Sequence, residues 1–467
     1  MLGNPRIVII GAGVAGLAAA MRLREACVDA IPEITILEAE SQPGGLLQTT
    51  TENGYWWDNG AFMFRTNNPL YHLFPELFQP VDSRVEVWLR GVFHAYPPSA
   101  RSWIRSQPPF AFLMTALDLV YCYGRRYLGL AEANLHDWLR YRITARFLDH
   151  TQLEAYFAKL QGRATRELSS RLGELRLDDV IKGTSLRKIV RRFLRSKLMS
   201  RGAQRAIQVR EIYPSECGVG AISRALVAGC EAGHIKILCD ANVTEIVRDG
   251  EGEYAIRYQG KGGHGICRAS HLISTMPLNE FVATYRSHAT LECLDCAEKL
   301  AFMDLKLVFF ITRRPVIRHN HLALYSFEKH HRWKRLVARS LPNGLSQVLV
   351  ETTFDPRAGE PEDSIAEMVT KDLVGELALF DADEVMLRRC ATVRKAYPIH
   401  EIGYETRVAR ILQELESDTV QCAGRQGRFA YLNTKDVIQT AWAAADRIAQ
   451  SVSACPTAQS ARRKTNN

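Results

Sequence analysis

An α/β fold organised around a parallel, nucleotide-binding sheet is what this sequence predicts. Three observations carry the expectation. A short apolar strand, Arg6-Ile-Val-Ile-Ile10, runs directly into Gly11-Ala-Gly13-Val-Ala-Gly16 and then into a helical stretch, Leu17–Arg24. A second strand, Ile34-Thr-Ile-Leu, ends on an acid, Glu38. Strand signals return after Glu211, beyond a long stretch that reads mostly as helix.

The glycine loop is the strongest of the three. A G-x-G-x-x-G alone says little, but between a strand and a helix each glycine has a physical task. Gly11 permits the tight turn, Gly13 lets backbone approach a pyrophosphate, and Gly16 lets the helix pack against the strand. The helix start then presents N–H groups and partial positive charge to the phosphates. Glu38 is placed to hydrogen-bond ribose hydroxyls. An acid there favours FAD or NAD over NADP, whose extra phosphate it would repel.

The remaining elements follow in order. Strands are predicted at Ile235–Leu238, Val243–Val247, Tyr254–Tyr258, His271–Thr275, Lys306–Ile311 and Gln347–Glu351, from β-branched and alternating patterns. Between about Leu70 and Arg210 the pattern is mostly helical, best at Leu135–Lys159 and Ser185–Arg201. A last helix spans Thr434–Ser451, with Val437, Ile438, Ala441, Trp442, Ala445 and Ile448 on one face.

Composition bounds the rest. At 467 residues the chain exceeds what one core holds, so two or more domains are expected. Eleven scattered cysteines read as reduced thiols of a cytoplasmic protein, not a disulfide framework. Cys293-x-x-Cys296 is a lone pair with no partner set, and the histidines have no ligand spacing, so no metal is expected. His330-His331 reads as loop. The N-terminus has no secretory pattern, and the longest apolar stretch, Pro109 to Tyr121, is too short for a span. The net charge of +9 is uneven: between Asp179 and Glu211 there are ten Lys/Arg and no acid. Residues 186–205 can be drawn as a basic amphipathic helix. Such a helix is either a solvated face or a contact for an anionic carrier or anionic membrane surface, which makes the location cytoplasmic, peripheral at most. No nucleic-acid motif accompanies it.

Beyond Glu38 the chain resembles the flavin amine-oxidase superfamily, which includes protoporphyrinogen oxidases and UDP-galactopyranose mutases. Glu38-Ala39-Glu-Ser-Gln-Pro-Gly44-Gly45-Leu46 matches its E-A-x-x-x-x-G-G segment, and Asp58-Asn-Gly60-Ala61 its flavin loop. Cys239-Asp-Ala-Asn-Val243 resembles the strand that meets the adenine side. Gly424-Arg425, then Asn433-Thr-Lys-Asp436-Val437 at a helix start, resembles the C-terminal fingerprint. A glycine turn and a helix dipole there can stabilise negative charge on a reduced flavin, with Asn433 or Thr434 as the N-cap. The resemblance implies a glutathione-reductase-type Rossmann FAD-binding fold with an inserted helical region and a mixed-sheet substrate domain. The implied parts are 1–70, 205–276 and 393–455 for FAD, 71–204 helical, 277–392 for substrate, and a disordered tail, 456–467.

Two branches of the superfamily give different site residues. Lys159-Leu-Gln161-Gly162, Glu167-Leu-Ser169 and Tyr397-Pro-Ile399…Tyr404 resemble the mutase branch, which implies Arg176 and Arg335 as clamps on a substrate diphosphate. The mutase pattern is broken where Phe62–Phe64 lacks its His and where Gln161 replaces its Trp, so galactopyranose itself is not implied. The oxidase branch implies Lys306, facing flavin N5 through a water. The expected activity is hydride transfer from a small organic substrate to flavin N5. The alternatives are a non-redox mutase using reduced FAD on a nucleotide sugar, and a partner-dependent flavoprotein without activity.

Overall fold

A computed structural model describes residues 4–27, 31–96, 109–129, 132–184, 210–215, 218–250, 252–317, 321–341, 343–358 and 362–454. The basic 186–205 segment, the predicted Ser185–Arg201 helix and the 456–467 tail lie outside them. The chain divides into two units: residues 1–79, 212–302 and 405–467, and residues 80–211 and 303–404. The segments read from sequence as helical insertion and substrate domain fall largely within the second unit.

The first unit is built on a five-stranded parallel sheet. Its order is Lys236–Leu238, Glu33–Leu37, Arg6–Ile10, His271–Ser274 and Val420–Cys422. Ile7, Ile9, Ile34, Ile36, Leu272 and Ile273 are all buried, as a sheet covered on both faces requires. The Val14–Ala26 helix packs on the Thr434–Ala454 helix. Small residues on the first, Ala18, Ala19 and Ala20, allow close approach, and Leu17, Leu23, Ile438 and Ile448 fill the seam. Each such aliphatic side chain, fully buried, contributes about 1.5–3 kcal/mol. Arg22 Nε and Asp446 Oδ1 close the exposed margin at 2.7 Å. A three-stranded antiparallel sheet, Asn242–Arg248, Tyr254–Gly260 and Gly263–Ala269, completes this unit's main elements.

The second unit carries a seven-stranded mixed sheet in the order Val385–Pro398, Phe302–Thr312, Ser346–Phe354, Arg335–Ser340, His321–Ser326, Ser83–Leu89, Val92–Ala95. One face buries Val308, Phe310, Leu324, Leu336 and Val350 against Ile365, Val369 and Leu373 of the following helical segment. Two helical expectations are corrected here. Ser83–Leu89 is a strand, not helix: it pairs antiparallel with Val92–Ala95 across the Arg90-Gly91 turn and in parallel with His321–Ser326, far along the chain. Leu135–Lys159 is not one helix but three, Leu135–Ile143, Ala145–Thr151 and Leu153–Gln161. The breaks are Thr144 and Gln152, with φ of +85° and +51°, and Thr144 caps the second helix by accepting from Phe147 N–H. The Pro109–Tyr121 stretch lies in a helix, Pro109–Tyr127. Among the described residues no helix is long and apolar enough to cross a membrane.

Candidate functional site

The glycine loop leaves the C-terminal end of the Arg6–Ile10 strand, where ligands of open α/β sheets bind. Gly11 has φ of +98°, and its N–H donates to Leu37 O at 2.7 Å. A Cβ at Gly11 would lie 2.3 Å from Thr275 Oγ1. Thr275, at the end of the predicted His271–Thr275 strand, fastens this turn by donating from N–H and hydroxyl to Ile10 O at 2.9 and 2.8 Å. A Cβ at Gly16 would lie 1.9 Å from Gly11 O, so the helix can start here only on glycine. Gly13 differs: a Cβ there would meet no atom within 4 Å. It is also the N-cap of the Val14–Ala26 helix, which has no side-chain cap and no acid in its first turn. The N–H groups at Val14 and Ala15 therefore form the start of an uncapped helix, a natural anion site.

Around Gly13 the predicted partners assemble. Gly44, at φ +124°, donates its N–H to Ala12 O at 2.8 Å. A Cβ at Gly45, φ +54°, would lie 3.2 Å from Gly13 Cα. Ala39 is exposed and Leu46 half-buried on the same connection. Glu38 is buried. Its Oε2 accepts from Ala12 N–H at 2.5 Å and Oε1 from Glu40 N–H at 3.0 Å. A carboxylate has about four acceptor positions, so capacity for ribose hydroxyls remains. Val243 is buried in its strand.

Gly60 and Ala61 are buried beside a knot that holds the Asp58 loop. Asp58 Oδ1 accepts from Thr49 Oγ1 at 2.7 Å and Val219 N–H at 3.0 Å, and Oδ2 accepts from Tyr213 hydroxyl. Asp58 stands in the sequence motif, but Tyr213 and Val219 come from more than 150 residues away and carry no local signal.

The C-terminal fingerprint closes on the same loop. Gly424, φ +80°, approaches so that a Cβ would lie 2.9 Å from Ala15 Cβ. Its N–H donates to Thr440 Oγ1 at 3.1 Å. Arg425 donates from Nε and Nη2 to Leu432 O at 3.0 and 2.6 Å, which pins the loop leading to Asn433. Asn433 Oδ1 accepts from Asp436 N–H at 3.2 Å and so is the cap of the last helix, with Val437 buried in its first turn. Chemically, two helix starts and a set of glycines can together receive an extended diphosphate without side-chain obstruction.

In the second unit, register decides which predicted residues meet. Lys306 pairs with Thr352, while the neighbouring row runs Leu307, Glu351, Arg335, Tyr325. Successive residues of a strand point to opposite faces, so Lys306 and Arg335 do not share one. Lys306 is buried on the face that also carries Val308 and Val350, with Nζ 3.4 Å from Thr392 Oγ1. Arg335 binds Glu351 through both oxygens, Nε–Oε2 at 3.1 Å and Nη2–Oε1 at 2.9 Å, and lies over the Tyr325 ring. Lys334 Nζ adds a second cation at 2.8 Å from Glu351 Oε2. Burial alone would raise the Glu351 carboxyl, but Arg335 and Lys334 outweigh it and hold it well below the usual range.

Arg176 lies in a cavity of about 120 Å³ with Tyr96, Tyr156, Tyr325 and Phe327. Its Nη2 donates to Tyr156 hydroxyl at 2.6 Å. Burial, with Tyr325 nearby, raises the Tyr96 hydroxyl pKa although Arg176 opposes it. Arg176 shares this cavity with Tyr325, and Arg335 lies over the Tyr325 ring. The tyrosines come from three distant segments, which is why no motif marked them. Gln161, the departure from the mutase pattern, is fully buried and clamps the 398–400 backbone: Nε2 donates to Pro398 O at 3.2 Å and Oε1 accepts from His400 N–H at 2.7 Å.

Protoporphyrinogen oxidase 1 of Arabidopsis thaliana is 36% identical over 63 residues, which is 14% of this chain and 12% of that relative. The crystal structure of a reduced UDP-galactopyranose mutase aligns over 98% of both chains with a TM-score of 0.75 and 18% identity. A provisionally assigned protoporphyrinogen oxidase from Exiguobacterium sp. 255-15 aligns over 97% of this chain and 99% of its own, with a TM-score of 0.69 and 16% identity. At such identities the likeness is one of fold. The model of the family "Flavin containing amine oxidoreductase" matches residues 14–449, so the chain belongs to that family and is a flavin-dependent enzyme.

Proposed function

We propose that this protein is an FAD-dependent oxidoreductase that takes a hydride from a small organic substrate. The observation that carries the reading is the open Cβ position at Gly13, set between Gly44-Gly45 and the Gly424 turn. Gly11, Gly13, Val14, Ala15 and Gly16 would hold the pyrophosphate, and Glu38 with Ala39 the ribose. Gly44, Gly45, Leu46, Gly60 and Ala61 would follow the chain of the dinucleotide, with Val243 on the adenine side. Gly424, Arg425, Asn433, Asp436 and Val437 would bring a helix start to the ring end. FAD, when bound, supplies a two-electron acceptor. Of the chain's own residues, Lys306 is the candidate to hold a proton or water near the reacting bond: it is buried, and its Nζ lies near the Thr392 hydroxyl.

A second reading, a non-redox mutase acting on a nucleotide sugar, is favoured by the Arg176 cavity. A guanidinium beside three tyrosines suits an anionic, hydroxyl-rich group better than an apolar amine. One experiment separates the two. The oxidised protein is titrated anaerobically with amines, porphyrinogens and nucleotide sugars while the flavin absorbance is followed. Bleaching by an amine or a porphyrinogen supports the oxidoreductase. Perturbation by nucleotide sugars, with no bleaching by any compound, moves the mutase ahead.

A further inference from the structure

The geometry points to a binding site for a divalent transition-metal ion of the zinc type, formed by His330, His331 and Glu376. The two histidines lie in the 327–334 loop between the His321–Ser326 and Arg335–Ser340 strands. Glu376 ends a π-helical turn, Asp372–Glu376, that continues the Glu362–Lys371 helix. Its Oε2 is 2.8 Å from His330 Nε2 and 3.0 Å from His331 Nε2, and the three donor atoms lie within 4.8 Å of one another. Two imidazoles and one carboxylate are the donor set of zinc-class sites that keep an open position. The sequence has no ligand spacing and leads to no metal, because the third donor stands 46 residues beyond His330.

A second observation concerns burial. His331 is 1% exposed, yet its Nε2 makes no hydrogen bond, although it comes within 3.0 Å of the Glu376 oxygen. A buried ring nitrogen without a hydrogen bond is costly, and a bound cation would satisfy it. The surroundings hold the donors in place. His331 Nδ1 is 2.8 Å from Ser326 Oγ, which orients the ring as ligating histidines are oriented. Trp88 Nε1–H donates to Glu376 Oε1 at 3.1 Å and leaves Oε2 for the ion. Lys159 Nζ donates to the carbonyls of Ser326, Glu328 and Trp333 at 2.8, 3.1 and 3.1 Å, and so fixes the loop. The His330 side chain is 60% exposed, which gives an ion a path in.

The test uses the flavin-loaded, full-length protein, stripped with chelator and then exposed to Zn²⁺ or, as control, Mg²⁺. The wild type is expected to retain one Zn²⁺ per chain after gel filtration, and its Tm to rise by about 2–5 °C with Zn²⁺ but not Mg²⁺. His330→Ala and Glu376→Gln, each shown by circular dichroism to be folded, should weaken retention at least tenfold and remove the Tm rise. No retained Zn²⁺ in the wild type overturns the site. So does retention equal in wild type and both variants, which would place the ion elsewhere on the chain.

Discussion

Gly424 rests against Ala15: a Cβ added to the glycine would stand 2.9 Å from the alanine's own. These residues are separated by almost the whole chain, and each begins or borders a helix start that faces the glycine loop. The contact therefore joins the two ends of the cofactor motif. Gly424→Val would force a β-branched residue into φ of +80° as well as into Ala15. The backbone term alone is about 1–3 kcal/mol. The expected result is a protein that purifies with at least tenfold less flavin, measured as the ratio of absorbance at the flavin band to that of protein. Full flavin content in that variant would show that the two fingerprints act separately.

Gly13 and Gly16 should fail in different ways. A Cβ at Gly13 meets no protein atom, while one at Gly16 lies 1.9 Å from Gly11 O. Gly13→Ala is thus expected to leave the flavin-free protein as stable as wild type while its flavin content falls. Gly16→Ala should lower the Tm of the flavin-free protein as well, because strand and helix must part. Thermal melts of both apo-proteins beside flavin content decide it. A Gly13→Ala protein that keeps its flavin would remove the glycine loop from the cofactor site.

Much of the candidate site could be read from sequence because its glycine turns and caps are local chemistry. Gly11 to Gly16, Glu38 and Gly44-Gly45 act through backbone conformation and Cβ volume, and short motifs encode both. Asn433 is legible for the same reason, since capping involves only its next three residues. What stayed hidden depends on distant pairing. The parallel partner of Ser83–Leu89, His321–Ser326, lies more than 230 residues away, and Tyr96, Tyr156 and Tyr325 meet only after the second unit has folded. The opposite facing of Lys306 and Arg335 is a matter of strand register, which periodicity within either strand cannot supply.

Arg176 gives a direct test of the cavity. Its guanidinium holds Tyr156 hydroxyl at 2.6 Å, and it is the one cation among the described residues that line the cavity. A hydrogen bond from a charged donor is worth about 1.5–3 kcal/mol. Arg176→Met should therefore weaken binding of a nucleotide sugar by roughly ten- to a hundredfold, read from the ligand concentration that half-perturbs the flavin band. An unchanged Kd would take the cavity out of substrate binding.

The Lys334–Glu351–Arg335 cluster makes a stability prediction. Glu351 and Lys334 are almost wholly inaccessible, with side chains 2% and 3% exposed. Glu351→Gln leaves two cations facing a neutral amide. Breaking a buried pair by removing one partner costs about 3–5 kcal/mol. The urea midpoint should fall accordingly, and Lys334→Met in the same chain should restore part of the loss by removing one stranded charge. A Glu351→Gln midpoint equal to wild type would mean that solvent reaches the cluster.

His271 sets part of the acid limit of the first unit. Its ring lies under the Thr434–Ala454 helix, Nδ1 2.9 Å from Ser270 Oγ and Nε2 3.3 Å from Ser451 Oγ. Burial lowers its pKa to about 4. The unfolded ring titrates at about 6.5. Above that pH neither state binds the proton and the group contributes nothing to pH dependence. As pH falls from about 6.5 towards 4, the unfolded chain takes a proton that the folded chain refuses, so stability declines. At pH 5 the loss is about 2 kcal/mol, with a limit of about 3 kcal/mol at lower pH. Urea midpoints at pH 7.5 and 5 should therefore drop further in wild type than in His271→Gln, which has no ring to protonate. An equal drop in both proteins would mean that the folded ring accepts its proton near the ordinary pH, and that the helix above it opens enough to admit water.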